Sequence, residues 1–354
     1  MPEVTVIIPI YNAEEYIEQC VNSITNQSIS NIEILLVNDG STDDSGYILQ
    51  ELAKKDNRIK VFHKLNEGPS SARNLGLYYA QGDYISFIDS DDWVESDFLK
   101  EMYLAATRYD ADIVSSGINV DYVKEKKFVK LKYPENKYCE KKEQIGDFFW
   151  ELHKRKLSNY PVTRLYKNAL IKKNKIKFNN DLSVGEDLVF NLQAFKHSSL
   201  VAITNSALYH YMKRENSTLT SCYNSNYLYS RKVQLKAYNE FFNHFSMNRD
   251  EHILFLDCFY ISTYIGFILN LYKRNSPLDA KQRISLIGNE IFKNNHELDQ
   301  KLKRIKLKGF NNRLSKFLII NTNALITDSF FRLLFYLRNK FEIVYLKFRF
   351  VLNN

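Results

Sequence analysis

Asp89, Asp91 and Asp92 stand in the segment Phe87-Ile88-Asp89-Ser90-Asp91-Asp92-Trp93, three carboxylates directly after an apolar run. Like charges this close repel one another, and a cation among them is the ordinary remedy. A hard divalent ion such as Mg²⁺ or Mn²⁺ takes one or two carboxylates and completes its shell with phosphate oxygens and water. The segment therefore points to metal-assisted chemistry on a phosphate-bearing substrate. Helix capping is the competing reading, because Asp92 or Ser96 lies where it would cap a helix starting near Asp97. Capping uses one side chain and leaves Asp89 and Asp91 without a role. Nearer the N-terminus, Ile8-Pro9-Ile10-Tyr11-Asn12-Ala13 places an aromatic ring and an amide after another apolar run, and Asp39 follows a third. The ring offers a nucleobase a stacking face, and the carboxylate accepts from an imide N–H such as that of uracil. A turn aspartate alone is more often an Asx-turn residue. The pairing of Tyr11 with Asp39 at neighbouring strand ends favours a base site.

The elements that must position these residues follow from periodicity. Val4 to Ile10, Ile32 to Asn38, Ile59 to Lys64 and Tyr84 to Asp89 read as strands. Ala13 to Gln27, Asp43 to Lys55 and Pro69 to Gln81 read as the helices between them. This alternation predicts an α/β fold with a parallel sheet covered on both faces, whose ligands sit beyond the carboxyl ends of the strands. Past Asp121 the Lys-rich stretch Lys124 to Lys142 reads as an exposed hairpin or loop excursion. Helices return at Gln144 to Lys156 and Gly185 to Lys196, and a strand is expected over Leu200 to Tyr211. From about Ser225 onward the pattern is helical only. Ile253 to Tyr272 has the length of a membrane span with Asp257 its single charge; its amide and hydroxyls favour a buried bundle helix.

Five stretches in order, IPIYNAEEYIEQCVNSI, LLVNDGSTDDS, NEGPSSARNLG, GDYISFIDSDDW and GEDLVFN, resemble the family-2 glycosyltransferases of the GT-A fold, over about residues 3 to 217. The resemblance implies a Rossmann-like, mainly parallel sheet flanked by helices, with an appended C-terminal helical domain. It further implies an inverting transfer of a sugar from a UDP-sugar to a hydroxyl of a glycan or lipid-linked glycan acceptor. On that reading the donor lies among Pro9, Tyr11, Asp39, Arg73, Asp89, Ser90, Asp91 and Arg214. Tyr11 would stack on the uracil, Asp39 would hydrogen-bond it, and Arg73 would reach the nucleotide or its diphosphate. Asp89 and Asp91 match the DxD motif, Asp91 as the direct ligand of Mn²⁺ or Mg²⁺ and Asp89 nearer the ribose and donor sugar. Asp187 matches the catalytic base, with Glu186 its rival. The segment Tyr209 to Ser217 resembles the stretch that closes over the diphosphate; Arg214 and Ser217 fit, while Met212 stands where a basic residue is common. His210 is either a further metal ligand or a packed, hydrogen-bonded side chain.

At 354 residues, with 45% hydrophobic and 14% aromatic content, the chain suits a catalytic domain over 1–215 and a helical domain over 216–354 serving acceptor, oligomer or membrane contacts. Its four cysteines lie far apart, which argues against a disulfide framework or zinc site and suits a reducing compartment. No basic leader precedes the first strand, so a cytoplasmic location is expected, with peripheral placement at the inner membrane face as the variant. The net charge of +8 is C-terminal: residues 216–354 hold 21 Lys and Arg against 10 Asp and Glu. In the tail, Ser329 to Asn354, Arg332, Arg338, Lys340, Lys347 and Arg349 punctuate Phe, Leu and Tyr. Apolar residues lie all round this helix, which favours packing in protein; contact with an anionic membrane and a homodimer contact are the other uses. Nucleic acid is not an expected partner, since the tail's aromatic residues fall at helical spacing. A non-catalytic sugar-nucleotide scaffold is opposed by intact Asp89, Asp91 and Asp187, and a nucleotidyltransferase by the lack of a Gly-rich phosphate loop.

Overall fold

A computed structural model describes residues 1–340 except 123, 126, 134, 215–221, 294 and 306–309, and the side chains of 310–315 and 337–340. The chain divides into two compact units. The first takes Met1–Asn216 and Glu240–Met247, the second Ser217–Asn239 and the chain from Asn248 onward.

The first unit opens with β1 (Val4–Ile10), α1 (Ile17–Thr25), β2 (Ile32–Asp39), α2 (Ser45–Lys55), β3 (Ile59–Lys64), α3 (Pro69–Tyr79) and β4 (Tyr84–Phe87). Every residue of β1, β2 and β4 is buried, as the continuous apolar runs require of parallel strands covered on both faces. Their register sets Ile7 opposite both Leu35 and Phe87, which brings the carboxyl ends of the three strands together. Gly76 lets α3 approach β1, because a Cβ there would stand 2.3 Å from Ile7 Cγ2.

The chain continues through β5 (Trp93–Val94), α4 (Phe98–Tyr109), β6 (Ile113–Ser115), β7 (Ile118–Tyr122), β8 (Lys127–Leu131), β9 (Lys137–Cys139), α5 (Lys142–Lys154), β10 (Arg164–Lys167), α6 (Asn168–Lys173), α7 (Glu186–His197), β11 (Val201–Ile203) and β12 (Tyr209–Lys213). The main sheet runs β3-β2-β1-β4-β10-β6-β11-β9, with β10 and β9 antiparallel to their neighbours. A second sheet, β5-β12-β7-β8, had no counterpart in the sequence reading.

Three elements differ from expectation for local reasons. Helix α1 begins at Ile17, because Asn12, Ala13 and Glu14 donate their backbone N–H groups to Ser41 of the loop after β2, Ser45 at the start of α2 and Asp43 of that loop. The strand expected over 200–211 is two strands in different sheets. Between them Ser206 O and Ala207 O accept from Gly117 N and Asn119 Nδ2, which turns the chain from one sheet into the other. The Lys-rich excursion likewise feeds both sheets, with β8 an exposed edge strand and β9 the edge of the main sheet.

The second unit is built from α8 (Tyr227–His244) as far as Asn239, α9 (Asp250–Asn270), α10 (Ala280–Ile287), α11 (His296–Arg304), α12 (Phe310–Asn321) and α13 (Ala324–Lys340). Ile261, Ile265 and Ile268 of α9, Leu298 and Leu302 of α11, and Phe331 of α13 share its core. By length and composition α9 is able to cross a membrane, and half of its most apolar window is buried inside the protein. Asp257, the charge set within its apolar stretch, is buried and ion-paired with Lys301 and Arg304 of α11. Of the basic aromatic tail, residues 329–340 belong to α13 and residues 341–354 lie outside the described residues.

Candidate active site

Strand β4 ends at Phe87, and Ile88 N still reaches Ile7 O before the chain turns away through Asp89 to Asp92. The turn closes with Asp92 N donating to Asp89 O at 3.1 Å. Its three carboxylates have different surroundings. Asp92 is 2% exposed and is not a helix cap. Its Oδ1 accepts from Met212 N at 2.8 Å and its Oδ2 from the Tyr209 hydroxyl at 2.6 Å. The same hydroxyl accepts from Asp89 N at 3.3 Å, so Tyr209 ties both ends of the turn to β12. Burial, then the charges of Asp89 and Asp91, push the Asp92 carboxyl well up. The expected capping task falls elsewhere, since Leu99 N at the start of α4 donates to Gln27 Oε1 and Ser96 is not used.

Asp91 is half exposed, and its Oδ2 accepts from Arg214 Nη1 at 3.0 Å. The Arg214 guanidinium lies 3.9 Å over the Tyr16 ring, a cation–π contact that adds to its hold. Desolvation and the neighbouring charge of Asp89 raise the Asp91 carboxyl, with Arg214 opposing. Asp89 instead turns inward to Arg73, and Ser90 is half-buried between the two.

Arg73 is the centre of the arrangement. It is 5% exposed on α3, with Nη2 donating to Asp89 Oδ1 at 2.8 Å and Nη1 to Asp187 Oδ1 at 3.1 Å. The Phe178 ring lies 5.2 Å from the guanidinium. The arginine bridges two carboxylates, with both terminal nitrogens occupied. Asp187 is the second residue of α7, entered through Gly185 in the left-handed region at φ 85°. Desolvation pushes its carboxyl up to about 7, Arg73 opposes, and Glu186 and Asp89 push it further. A carboxylate that titrates near neutrality is suited to accept a proton from a neutral hydroxyl. Of the two acidic residues opening α7, Asp187 is the one set on Arg73.

At the carboxyl end of β1, Pro9 is buried and Tyr11, just beyond the strand, is 51% exposed with its ring open to solvent. The loop that carries Tyr11 is held by Asn12, whose Oδ1 accepts from Thr42 N at 2.9 Å. Asp39 is buried and already partnered: Oδ1 accepts from Lys64 Nζ at 2.6 Å and Glu67 N at 3.1 Å, and Oδ2 from Gly68 N at 2.7 Å. It thus fastens the loop between β3 and α3 to the end of β2, a long-range role in place of the local Asx turn expected of a turn aspartate.

His210 stacks flat on Trp93 at 3.7 Å, with Nδ1 2.7 Å from Asp121 and Nε2 3.2 Å from both Glu95 and Asn119. Both ring nitrogens are engaged by protein, the arrangement of a packed, hydrogen-bonded side chain. Among the described residues no group of three or more His, Cys, Asp or Glu is arranged to hold a metal. Oδ2 of Asp89 and Oδ1 of Asp91 face no side-chain donor among the described residues. Two hard oxygens fit a Mg²⁺ or Mn²⁺ ion whose remaining ligands are diphosphate and water. Ser217 lies outside the described residues. Tyr209 and Asn74 were missed in sequence; their partners are too distant in the chain for any local pattern to reveal.

A mixed sheet with helices about it, acidic residues beyond its parallel strands and an acidic pair opening a later helix is the GT-A architecture. The chain belongs to glycosyltransferase family 2, whose model, Glycosyl transferase family 2, matches residues 5–172. The uncharacterized glycosyltransferase EpsJ of Bacillus subtilis (strain 168) is 34% identical over 247 residues, covering 70% of this chain and 72% of EpsJ. Glycosyltransferase GlyG of Streptococcus pneumoniae serotype 4 is 31% identical over 226 residues, covering 61% of this chain and 72% of GlyG. Among solved structures, Staphylococcus aureus TarS 1-349 in complex with UDP-GlcNAc superposes with a TM-score of 0.64 at 22% identity, covering 94% of this chain and 92% of that one. At that identity the likeness concerns the fold.

Proposed function

We propose that the protein transfers a sugar from a UDP-sugar to a hydroxyl of a glycan or lipid-linked glycan acceptor, with inversion at the anomeric carbon and Asp187 as general base. The observation that carries this reading is the Asp89–Arg73–Asp187 bridge, in which one buried arginine orients a donor-side carboxylate and a carboxyl titrating near neutrality. The UDP-GlcNAc held by TarS, a poly(ribitol-phosphate) beta-N-acetylglucosaminyltransferase, supports the choice of donor class.

Arg73 occupies Oδ1 of Asp187, which leaves Oδ2 to take the acceptor proton. As that proton leaves, the acceptor oxygen bonds to the anomeric carbon and the bond from that carbon to the diphosphate oxygen breaks on the opposite face. Inversion is the result. Arg73 keeps Asp187 in one orientation and remains paired to Asp89 when the base becomes neutral. Tyr11 offers its face to the base, and Arg214 brings positive charge to the diphosphate side of Asp91. Asp91 and Asp89 would hold Mn²⁺ or Mg²⁺, whose contribution is to neutralise charge on the departing diphosphate. An enzyme of this kind would work in the cytoplasm or at the inner membrane face, where sugar nucleotides and lipid-linked acceptors meet.

The test is UDP release from a panel of UDP-sugars, with Mn²⁺, with Mg²⁺ and with chelator. Release that depends on the ion and on one sugar class is expected. Pyrophosphate release from a nucleoside triphosphate in its place would overturn the reading.

A further inference from the structure

Arg73 and Asn74 are neighbours on α3, and consecutive side chains leave a helix about 100° apart. Arg73 points at the two carboxylates. Asn74 points at a segment of chain 104 residues away. Its Nδ2 donates to Phe178 O at 2.8 Å and to Asn180 Oδ1 at 3.0 Å, while its Oδ1 accepts from Phe178 N at 2.9 Å. Both ends of the amide are used on one backbone residue, as a strand partner would use them. Phe178 is buried and stacked on Phe190 of α7 at 4.1 Å and 3°, so the segment is fixed from two sides.

From Phe178 the chain runs through Asn179 to Gly185 and then directly into Glu186 and Asp187. Leu182 is buried within this loop, while Asn180, Asp181, Ser183 and Val184 are exposed. Asn179 stiffens it, with Oδ1 accepting from Asp181 N at 2.9 Å and its carbonyl from Leu182 N at 3.2 Å. Gly185 at φ 85° makes the turn into α7. The loop is therefore pinned at Asn74 on one side and at the base on the other, with the Asn180 amide and the Asp181 carboxylate exposed between.

We propose that the Asn180–Val184 loop is the acceptor-facing wall of the site, binding a polyhydroxylated glycan acceptor, and that Asn74 is the positioning residue that holds this wall against Asp187. The inference rests on Asp187 being the general base. An acceptor sugar needs its hydroxyl aligned with Asp187 by contacts on one side, whereas water reaches the base without them. A displacement of about 1 Å in such a wall costs roughly 10²-fold in transfer. Hydrolysis of the donor, which has no acceptor to align, is less sensitive.

The experiment compares the full-length protein with Asn74→Ala, Asn74→Asp and Asp181→Ala. It uses the UDP-sugar that the wild type turns over fastest, with p-nitrophenyl glycosides as acceptor probes. For Asn74→Ala the ratio of transfer to hydrolysis is expected to fall about tenfold or more, with a raised acceptor KM. UDP affinity by titration calorimetry is expected to move less than about twofold. Asp181→Ala is expected to raise acceptor KM with little change in kcat, and Asn74→Asp, which keeps the oxygen facing Phe178 N, to fall between Asn74→Ala and wild type. Transfer and hydrolysis falling in equal proportion, or UDP affinity falling with them, would show a general structural role and overturn the inference. A wild type that releases no UDP, or an Asp187→Asn variant as active as wild type, would instead overturn the donor and base assignments on which it stands.

Discussion

Asp257 and Asp328, in the helical unit, are each buried against partners of their own, whereas Asp89 and Asp187 in the catalytic unit divide one arginine between them. Asp257 takes Lys301 and Arg304; Asp328 takes Arg283 Nε and the Tyr272 hydroxyl, both at 2.8 Å. In the catalytic unit Asp91 and Asp92 add two more carboxylates to the same turn, and the carboxyls of Asp91, Asp92 and Asp187 are all raised. A buried carboxylate with its own cations is a fastening, expensive to break and indifferent to ligand. Carboxylates that crowd together and share too little positive charge are held ready for a charge or a proton from outside.

That contrast is open to direct attack. The largest effect is expected for Asp91→Ala, which should abolish ion-dependent UDP release while leaving the melting temperature equal or higher, because a repelling charge is gone. Undiminished activity with Mn²⁺ or Mg²⁺ would remove Asp91 from the metal site.

Next, Asp187→Asn keeps the shape of the side chain and loses the base, so transfer should drop by about 10² to 10⁴ with UDP affinity little altered. The wild-type rate should rise with pH and level off above about 7, since the base acts in its ionised form and desolvation has lifted its carboxyl to that value. The variant should lack this limb. A wild-type profile flat from pH 5 to 8, or Glu186→Gln giving the loss in its place, would move the base to Glu186.

In the helical unit, Asp328→Ala takes the charged partner from the largely buried Arg283, leaving it the Leu278 carbonyl and the Tyr272 ring, and is expected to cost about 3–5 kcal/mol in denaturant unfolding. A cost near zero would erase the distinction drawn between the two kinds of aspartate.

Strands β1 to β4 and helices α2 and α3 were legible because their signals are local: apolar runs of strand length, and helical periodicity between turn residues. The same holds for the position of Asp89, Asp91 and Asp187, each at the end or start of an element. The split between β11 and β12 was not legible, because the carbonyls that turn the chain there meet donors on Gly117 and Asn119. Nor was the fate of Asp92, decided by Tyr209, 117 residues later.

By itself the sequence determined which residues could do chemistry, the α/β order of the elements that carry them, and the family to which they are similar. Those properties depend on near neighbours and on spacing along the chain. Only the tertiary structure decided which carboxylates are partnered. Arg73 meets Asp187 across 114 residues and Arg214 meets Asp91 across 123, so Arg73 became a bridge, Asp39 a loop anchor and His210 a packed ring. The physical reason is that a side chain's charge state and task are set by what desolvates and faces it, and in this fold those groups come from distant strands and helices.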